Sequence, residues 1–193
     1  MGSIVAIVIA YLIGSLNMSI IIAKLLGKPD PRTQGSGNAG ATNTLRTGGK
    51  KDAAWVLIGD IAKGVIAVII GRLFHVDGLM LGLVALAAMV GHIFPLYFQF
   101  KGGKGVATMM GVLIALNIWI GIISIGSWII TALLSRFASL ASLVAATVAV
   151  VCSLIFGHYH YFIPLLIMAG LVFWKHLANI ERLKEGTERK INF

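Results

Sequence analysis

Long apolar segments alternate along the chain with short polar loops. An α-helix needs about 17 to 25 predominantly apolar residues to cross the hydrocarbon core of a bilayer. The pattern therefore predicts an all-α, polytopic integral membrane protein, with its charge in the loops and in a polar tail. The apolar segments cover residues 4–26, 53–73, 79–98, 106–134, 138–156 and 162–174.

The positions of lysine and arginine predict the topology. Loops 27–52 and 99–105 and the tail 175–193 are basic, which places all three in the cytoplasm and the N-terminus outside. Segment 106–134 is then predicted to be a hairpin of two short spans that turns near residues 117–121, which makes seven transmembrane helices with a cytoplasmic C-terminus. The alternative is five, with 106–134 as one tilted helix and the last two segments fused or partly re-entrant.

Composition agrees with a membrane protein. The 193 residues are 58% apolar and 12% charged, whereas a soluble domain is about half apolar and about a quarter charged. The net charge of +9 lies between the apolar segments, which argues against nucleic-acid binding. Cys152 is the single cysteine, so no internal disulfide is possible. We predict one domain, residues 1–193, with no cofactor and no metal, since His158 and His160 lack a third ligand.

Small and charged residues inside the predicted spans have two expected roles. Asp60 and Lys63 lie three residues apart within one span, and they are either functional or a self-satisfied ion pair. Intramembrane glycines are expected to let neighbouring helix backbones approach closely. These glycines are Gly64, Gly71, Gly82, Gly111, Gly121 and Gly126.

The first segment with candidate chemistry covers residues 35–46. Its glycines match the dinucleotide-binding spacing, but the match follows a membrane helix and not a strand, so it does not predict a nucleotide site. Glycines still let backbone N–H groups converge on an anion, and Arg46 adds a planar fork suited to phosphate. The alternative is a flexible loop. The neutral donors here are Ser36, Asn38, Thr42, Asn43 and Thr44.

The second segment, residues 100–108, combines glycine and lysine before a helix. Gly102, Gly103 and Gly105 surround Lys104, and no acidic residue is present. This composition is typical of an anion site at a helix N-terminus. The spacing is not that of a Walker A loop, and the alternative is a loop that only sets topology.

The third segment begins where the last apolar segment ends. His176 and Asn179 share one face of a predicted helix that leaves the membrane. Together the three segments supply two anion sites and one histidine on one side of the membrane, which suits a substrate with phosphate groups.

These motifs resemble the bacterial membrane acyl-phosphate:glycerol-3-phosphate acyltransferases (the PlsY family) over essentially the whole chain. The matching residues are Ser36-Gly37-Asn38, Thr42-Asn43, Arg46, the run from Gly102 to Thr108, His176, Asn179-Ile180, Arg182-Leu183, Gly186 and Glu188. The resemblance implies transfer of a fatty acyl group from acyl phosphate to the 1-hydroxyl of glycerol 3-phosphate. The products would be lysophosphatidic acid and phosphate, at the start of phospholipid synthesis.

The resemblance suggests a role for each candidate residue. Lys104 with Gly102, Gly103 and Gly105 would hold the phosphate of glycerol 3-phosphate. His176 would be a general base or would orient substrate, supported by Asn179, while Ser142 would line the site and Glu188 would tie the tail to a basic loop. The acyl phosphate and its developing charge would be bound by Ser36, Asn38, Thr42, Asn43 and Arg46.

Three routes for the reaction stay open at this stage. His176 removes the hydroxyl proton, a substrate phosphate removes it while His176 only positions, or Ser36 forms a covalent acyl intermediate. No nucleophile–base pair is adjacent in sequence, which disfavours the third route.

A transporter for an organic phosphate is the alternative function. Transporter sites lie near the bilayer midplane and often between inverted repeats, whereas the polar motifs here lie at one face and no repeat is evident. We therefore predict an enzyme of the bacterial inner membrane with a cytoplasmic active site. Its expected partners are acyl phosphate, glycerol 3-phosphate and membrane lipids, with no obligate protein partner.

Overall fold

The computed structural model describes residues 1–191, and this part of the chain is helical and contains no strand. Two 3-10 turns, Pro31–Thr33 and Leu96–Phe98, lie in the loops. The α-helices are α1 (Gly2–Gly14), α2 (Met18–Leu25), α3 (Ala41–Gly48), α4 (Lys50–Leu73), α5 (Gly78–Ile93), α6 (Val106–Leu116), α7 (Ile118–Ser135), α8 (Ala138–Ile155), α9 (Tyr159–Lys175) and α10 (Leu177–Lys184).

The lengths of these helices allow four to six membrane spans within residues 1–191. Four stretches are long and apolar enough by themselves: α4, α5 with its extension to Phe98, α7 and α8. The pairs α1–α2 and α9–α10 pass the same test jointly and are bent by 44° and 58°. Helix α6, with 11 residues, is shorter than a normal span. The all-α prediction is confirmed, and the count of seven stays a prediction.

The first predicted span, residues 4–26, is broken between α1 and α2. Asn17 begins α2 and accepts a hydrogen bond from the Ile20 backbone N–H at 3.3 Å. The break frees the Leu16 carbonyl, which accepts a hydrogen bond from Lys63 Nζ at 2.9 Å. A backbone group freed inside a membrane needs such a partner, because no water is there to replace the helical bond.

The long apolar segment 106–134 breaks at Asn117, where the sequence predicts a turn. The Asn117 side chain accepts hydrogen bonds from the backbone of Trp119 and Ile120 at 3.0 and 3.1 Å, which starts α7. The Arg72 guanidinium donates to the Leu116 carbonyl at 3.2 Å, which satisfies the end of α6. The ends of α4 and α6 therefore meet at one end of the bundle.

Close helix contacts depend on glycine, as expected. A methyl group at Gly111 would overlap the Ile61 carbonyl of α4, and one at Gly64 would lie 2.5 Å from the Thr108 carbonyl of α6. Helices α1 and α5 approach in the same way, because Gly14 lies against the Ala88 carbonyl. The packing prediction is wrong for Gly126, where a methyl group would meet open space. It is confirmed for Gly64, Gly111 and Gly121, which lie against the backbone of a neighbouring helix, whereas Gly71 and Gly82 lie against side chains of one.

Candidate active site

The first loop, residues 26–40 between α2 and α3, is built around the side chain of Asn43. This residue is 1% exposed. Its amide group donates to the carbonyls of Pro31 and Gln34 at 2.9 and 3.0 Å, and its Oδ1 accepts from the Ser36 N–H at 2.8 Å. Gly35, at φ +60°, passes so close to Asn43 Oδ1 that a side chain would not fit. Asn43 therefore shapes the loop, and no donor of its amide is left for the direct substrate contact predicted for it.

The second loop, residues 94–105 between α5 and α6, folds back along the end of α5. The Gly102 and Gly103 N–H groups donate to the Ile93 and His92 carbonyls at 3.3 and 3.2 Å. A methyl group at Gly102 would overlap the His92 carbonyl, so the close approach requires glycine. Gly105, at φ +80°, then begins α6. This loop leaves the Lys104 side chain directed toward the C-terminal part of the chain.

A hydrogen-bond network joins Lys104 to the tail. Lys104 Nζ donates to Asn179 Oδ1, and Asn179 Nδ2 donates to Glu188 Oε1 at 2.6 Å. Glu188 also accepts from Ser139 Oγ and Arg182 Nε, both at 2.8 Å. The carboxylate thus joins α8 to α10 directly and contacts the second loop through Asn179.

Helix α3, which follows the first loop, reaches the same region through Arg46 near its end. Its guanidinium donates to the Arg189 carbonyl at 3.3 Å. The tail is held on its other side by a hydrogen bond from the Ile191 N–H to the Arg136 carbonyl, at 2.7 Å. Three segments far apart in sequence therefore meet at one end of the helix bundle.

Positively charged side chains outnumber carboxylates in this region. Burial lowers the pKa of Lys104 to about 8, and the positive charges of Arg182, Lys175 and Arg46 act in the same direction against the opposing effect of Glu188. Burial and repulsion from Arg189 also lower the pKa of Arg46. A doubly charged phosphate would relieve this repulsion, so the arrangement is suited to anion binding.

Glu188 remains ionised in this setting. Burial opposes its ionisation, but hydrogen bonds from Asn179, Arg182 and Ser139 outweigh burial and hold its pKa below the usual value. A carboxylate that accepts several hydrogen bonds is stabilised in its charged form.

His176 lies between α9 and α10 and is 3% exposed. Its Nδ1 is 2.8 Å from the Val172 carbonyl. A carbonyl only accepts, so Nδ1 carries the proton of this hydrogen bond, and Nε2 of the neutral ring is an acceptor. That is the form that a general base needs.

Four of the other predicted site residues lie outside the network within residues 1–191. Ser142 donates to the Ala138 carbonyl at 2.7 Å and accepts from the Trp128 indole at 3.1 Å. The side chains of Asn38 and Thr42 contribute no hydrogen bond among these residues and lie half-buried in and beside the first loop, and Ser36 is exposed on it. Their predicted contacts with substrate stay predictions.

A family model for glycerol-3-phosphate acyltransferase matches residues 4–186. A glycerol-3-phosphate acyltransferase of Coxiella burnetii is 53% identical over 99% of both chains. The one of Bordetella pertussis is 47% identical over 96% of this chain and 90% of its own. The chain belongs to the glycerol-3-phosphate acyltransferase family.

A solved structure extends the similarity to three dimensions. PlsY (YgiH), described as an integral membrane glycerol 3-phosphate acyltransferase in its glycerol 3-phosphate form, superimposes with a TM-score of 0.94. It is 36% identical, and the match covers all of this chain and 96% of that one. Its lysophosphatidic acid form gives a TM-score of 0.92. As a member of this family, the chain is a multi-pass membrane protein.

Sequence reasoning about this family member missed two partners of Glu188. Ser139 and Arg182 were not assigned roles, although both hydrogen-bond to its carboxylate. Ser139 lies in the first turn of α8, directly after the basic Arg136 turn, and that position was the available signal. The contact of His92 with the second loop was missed as well, since nothing in the sequence relates His92 to Gly103.

Proposed function

We propose that the chain is an enzyme that transfers a fatty acyl group to the 1-hydroxyl of glycerol 3-phosphate. Family membership supports the acceptor and the reaction. The observation that carries the proposed site is the network from Lys104 through Asn179 to Glu188, because it brings the second and third motifs together in a positively charged region. The reaction is the acylation that starts phospholipid synthesis.

Acyl phosphate is the donor in this proposal. It is a mixed anhydride with a good leaving group, so the enzyme mainly aligns two anionic substrates and stabilises an oxyanion. The new bond joins the acceptor oxygen to the acyl carbon, the acyl carbon–oxygen bond to phosphate breaks, and phosphate leaves. Lys104 and the second loop would hold one phosphate, and Arg46 with the first loop the other.

The hydroxyl proton would pass to His176. Its Nε2 is the free acceptor of the neutral ring, which supports the general-base role over mere positioning. Replacing His176 with Gln keeps the side chain polar but removes the base, and we expect turnover to fall by about 10²- to 10⁴-fold. A loss of about tenfold would instead assign the proton to a substrate phosphate.

We infer seven spans, with the N-terminus outside and the site on the cytoplasmic face of the inner membrane. Basic residues are concentrated at the end of the bundle that carries the site, in line with the positive-inside rule. The α6–α7 turn at Asn117 supports the hairpin over a single tilted helix. The match over residues 4–186 supports a single acyltransferase domain.

Purified protein in detergent or lipid mesophase tests the proposal. Palmitoyl phosphate with glycerol 3-phosphate should yield phosphate and lysophosphatidic acid, and palmitoyl-CoA should not replace the donor. Arg46→Ala and Lys104→Ala should abolish most of the turnover, whereas Lys101→Ala, an exposed neighbour in the same loop, should not. Folded protein that is inactive with both donors would overturn the proposal of an enzyme. Uptake of glycerol 3-phosphate into vesicles would then be measured to test a transporter.

A further inference from the structure

A buried polar cluster lies in the helix bundle beneath the second loop. It consists of Asp60 and Lys63 on α4 and His92 on α5, which are 1%, 4% and 3% exposed. Lys63 Nζ lies 2.8 Å from Asp60 Oδ1 and 2.9 Å from His92 Nδ1. Its third contact is the hydrogen bond to the Leu16 carbonyl at the α1–α2 break. The ammonium group thus makes hydrogen bonds with His92 and the Leu16 carbonyl and an ion pair with Asp60.

The lysine decides the tautomer of His92. An ammonium group only donates, so His92 Nδ1 must accept at 2.9 Å, and the longer 3.4 Å separation from Asp60 Oδ1 is not the bond that Nδ1 makes. A neutral imidazole carries one proton, which therefore resides on Nε2. The ring presents this N–H group on the side away from Lys63.

That side of the ring lies against Gly103 of the second loop, which the first loop also approaches. A methyl group at Gly103 would overlap His92 Nε2 and also the Ala39 carbonyl of the first loop. The Gly103 N–H donates to the His92 carbonyl at 3.2 Å, so backbone and ring of one residue both face the second loop. The two loops and the His92 ring therefore converge on Gly103.

Capping the helix break does not explain the whole cluster. Lys63 alone satisfies the Leu16 carbonyl. Buried ion pairs are costly, and intramembrane charges usually mark function. The added histidine contributes a directed donor at the point where the loops meet.

We propose that His92 is a positioning residue for glycerol 3-phosphate, oriented by the Asp60–Lys63 pair so that its Nε2–H group sets the spacing of the Ala39 and Gly103 backbones. The second loop then holds the substrate phosphate in the geometry that Lys104 completes. This inference rests on the proposed role of the second loop in binding that phosphate.

Two amide substitutions separate the ring nitrogens. The amide of Gln reaches about as far as Nε2, whereas the amide of Asn reaches only as far as Nδ1. We expect His92→Asn to raise the KM for glycerol 3-phosphate at least about tenfold while the KM for palmitoyl phosphate changes less than about twofold. In His92→Gln, both KM values should stay within about threefold of those of the unmodified enzyme.

Equal KM values in the two variants, or a loss of kcat with both KM values unchanged, would overturn the proposal and leave His92 a structural residue. His158→Asn and His158→Gln are the matched controls, because the His158 ring likewise hydrogen-bonds to a polar side chain, that of Asn117 at 2.7 Å, but at the opposite end of the bundle. Both should leave the KM values unchanged. Lack of turnover by the unmodified enzyme would contradict the proposed function instead.

A spectroscopic measurement does not depend on the folding of a His92 variant. Replacing His75, His158 and His160 with Gln leaves His92 and His176, which the structure gives opposite tautomers. Nitrogen NMR of the imidazoles should show one ring protonated on Nε2 and one on Nδ1, and the Nε2–H signal should shift when glycerol 3-phosphate is added. Two Nδ1–H rings, or an Nε2–H signal that ignores the substrate, would overturn the inference.

Discussion

Single residues connect distant parts of this chain, and Glu188 does so with one carboxylate. Its three partners, Ser139, Asn179 and Arg182, all donate. Asn179 in turn accepts from Lys104. The position of the proposed phosphate ligand therefore depends on a side chain that does not need to touch substrate.

We expect Glu188→Gln to lower both stability and turnover. An amide nitrogen cannot accept, so at least one of the three donors loses its partner, at a cost of about 1 to 3 kcal/mol. Thermal unfolding in detergent and phosphate release measure the two effects. Glu185→Gln changes an exposed carboxylate of the same segment and should be neutral. Equal melting temperatures for the two variants would contradict the role of Glu188.

Lys104 should make the reaction sensitive to pH. Its pKa is lowered to about 8, chiefly by burial. The ammonium form binds phosphate, so binding is complete below that pKa and is lost as the pH rises through it. We expect kcat/KM for glycerol 3-phosphate to fall about tenfold per pH unit above about 8, since this ratio reports the free enzyme.

Two arginine variants test the origin of this pH dependence. Arginine keeps its charge throughout the range, so Lys104→Arg should flatten the alkaline limb even if its overall activity is lower. Lys101→Arg, in the same loop, should keep the limb. An alkaline limb that persists in Lys104→Arg would assign the titration to another group.

At the scale of elements, the short helix α6 is held by close approach to α4. A methyl group at Gly111 would overlap the Ile61 carbonyl, which is backbone and cannot swing away. We expect Gly111→Ala to destabilise the protein by about 1 to 3 kcal/mol, the usual cost of overpacking. Thermal unfolding checks this, with Gly126→Ala as the matched control, because a methyl group there meets open space. A similar melting temperature for both variants would contradict the tight packing.

Breaks in the helices also place side chains of the proposed site next to the interior of the bundle. The α1–α2 break exposes a carbonyl that Lys63 satisfies, and the same lysine orients His92 under the second loop. The bend between α9 and α10 places His176 and Asn179 at the end of the bundle where Lys104 lies. Irregular backbone in a membrane protein is tolerated where protein groups replace the lost hydrogen bonds.

At the scale of the whole molecule, the side of the membrane on which Arg136 lies decides between seven and five spans. In a Cys152→Ser background, Arg136→Cys should react with a membrane-impermeant thiol reagent only from the cytoplasmic side. With five spans the same cysteine would react from outside. Lys51→Cys and His75→Cys serve as the cytoplasmic and outer references, and labelling of Arg136→Cys together with His75→Cys would establish five spans.

The helices and some of their contacts were predicted from hydropathy and from the positions of glycine. The helix break at Asn117 and the packing of Gly64 and Gly111 were predictable, because apolar length and small side chains act locally. The break at Leu16 was not predicted. Ser15, Asn17 and Ser19 interrupt the apolar segment there, but the carbonyl that the break frees is satisfied by a lysine from another helix, which no local pattern reveals.

By itself the sequence determined that the protein is helical and lies in a membrane, and it predicted loops that bind anions. Those properties follow from solvent transfer and backbone freedom, which act on each segment separately. Only the tertiary structure decided that Asn43 shapes a loop, that Lys104 meets a residue 75 positions away, and that His92 faces Gly103. These relations depend on distances between helices, and no local pattern encodes them.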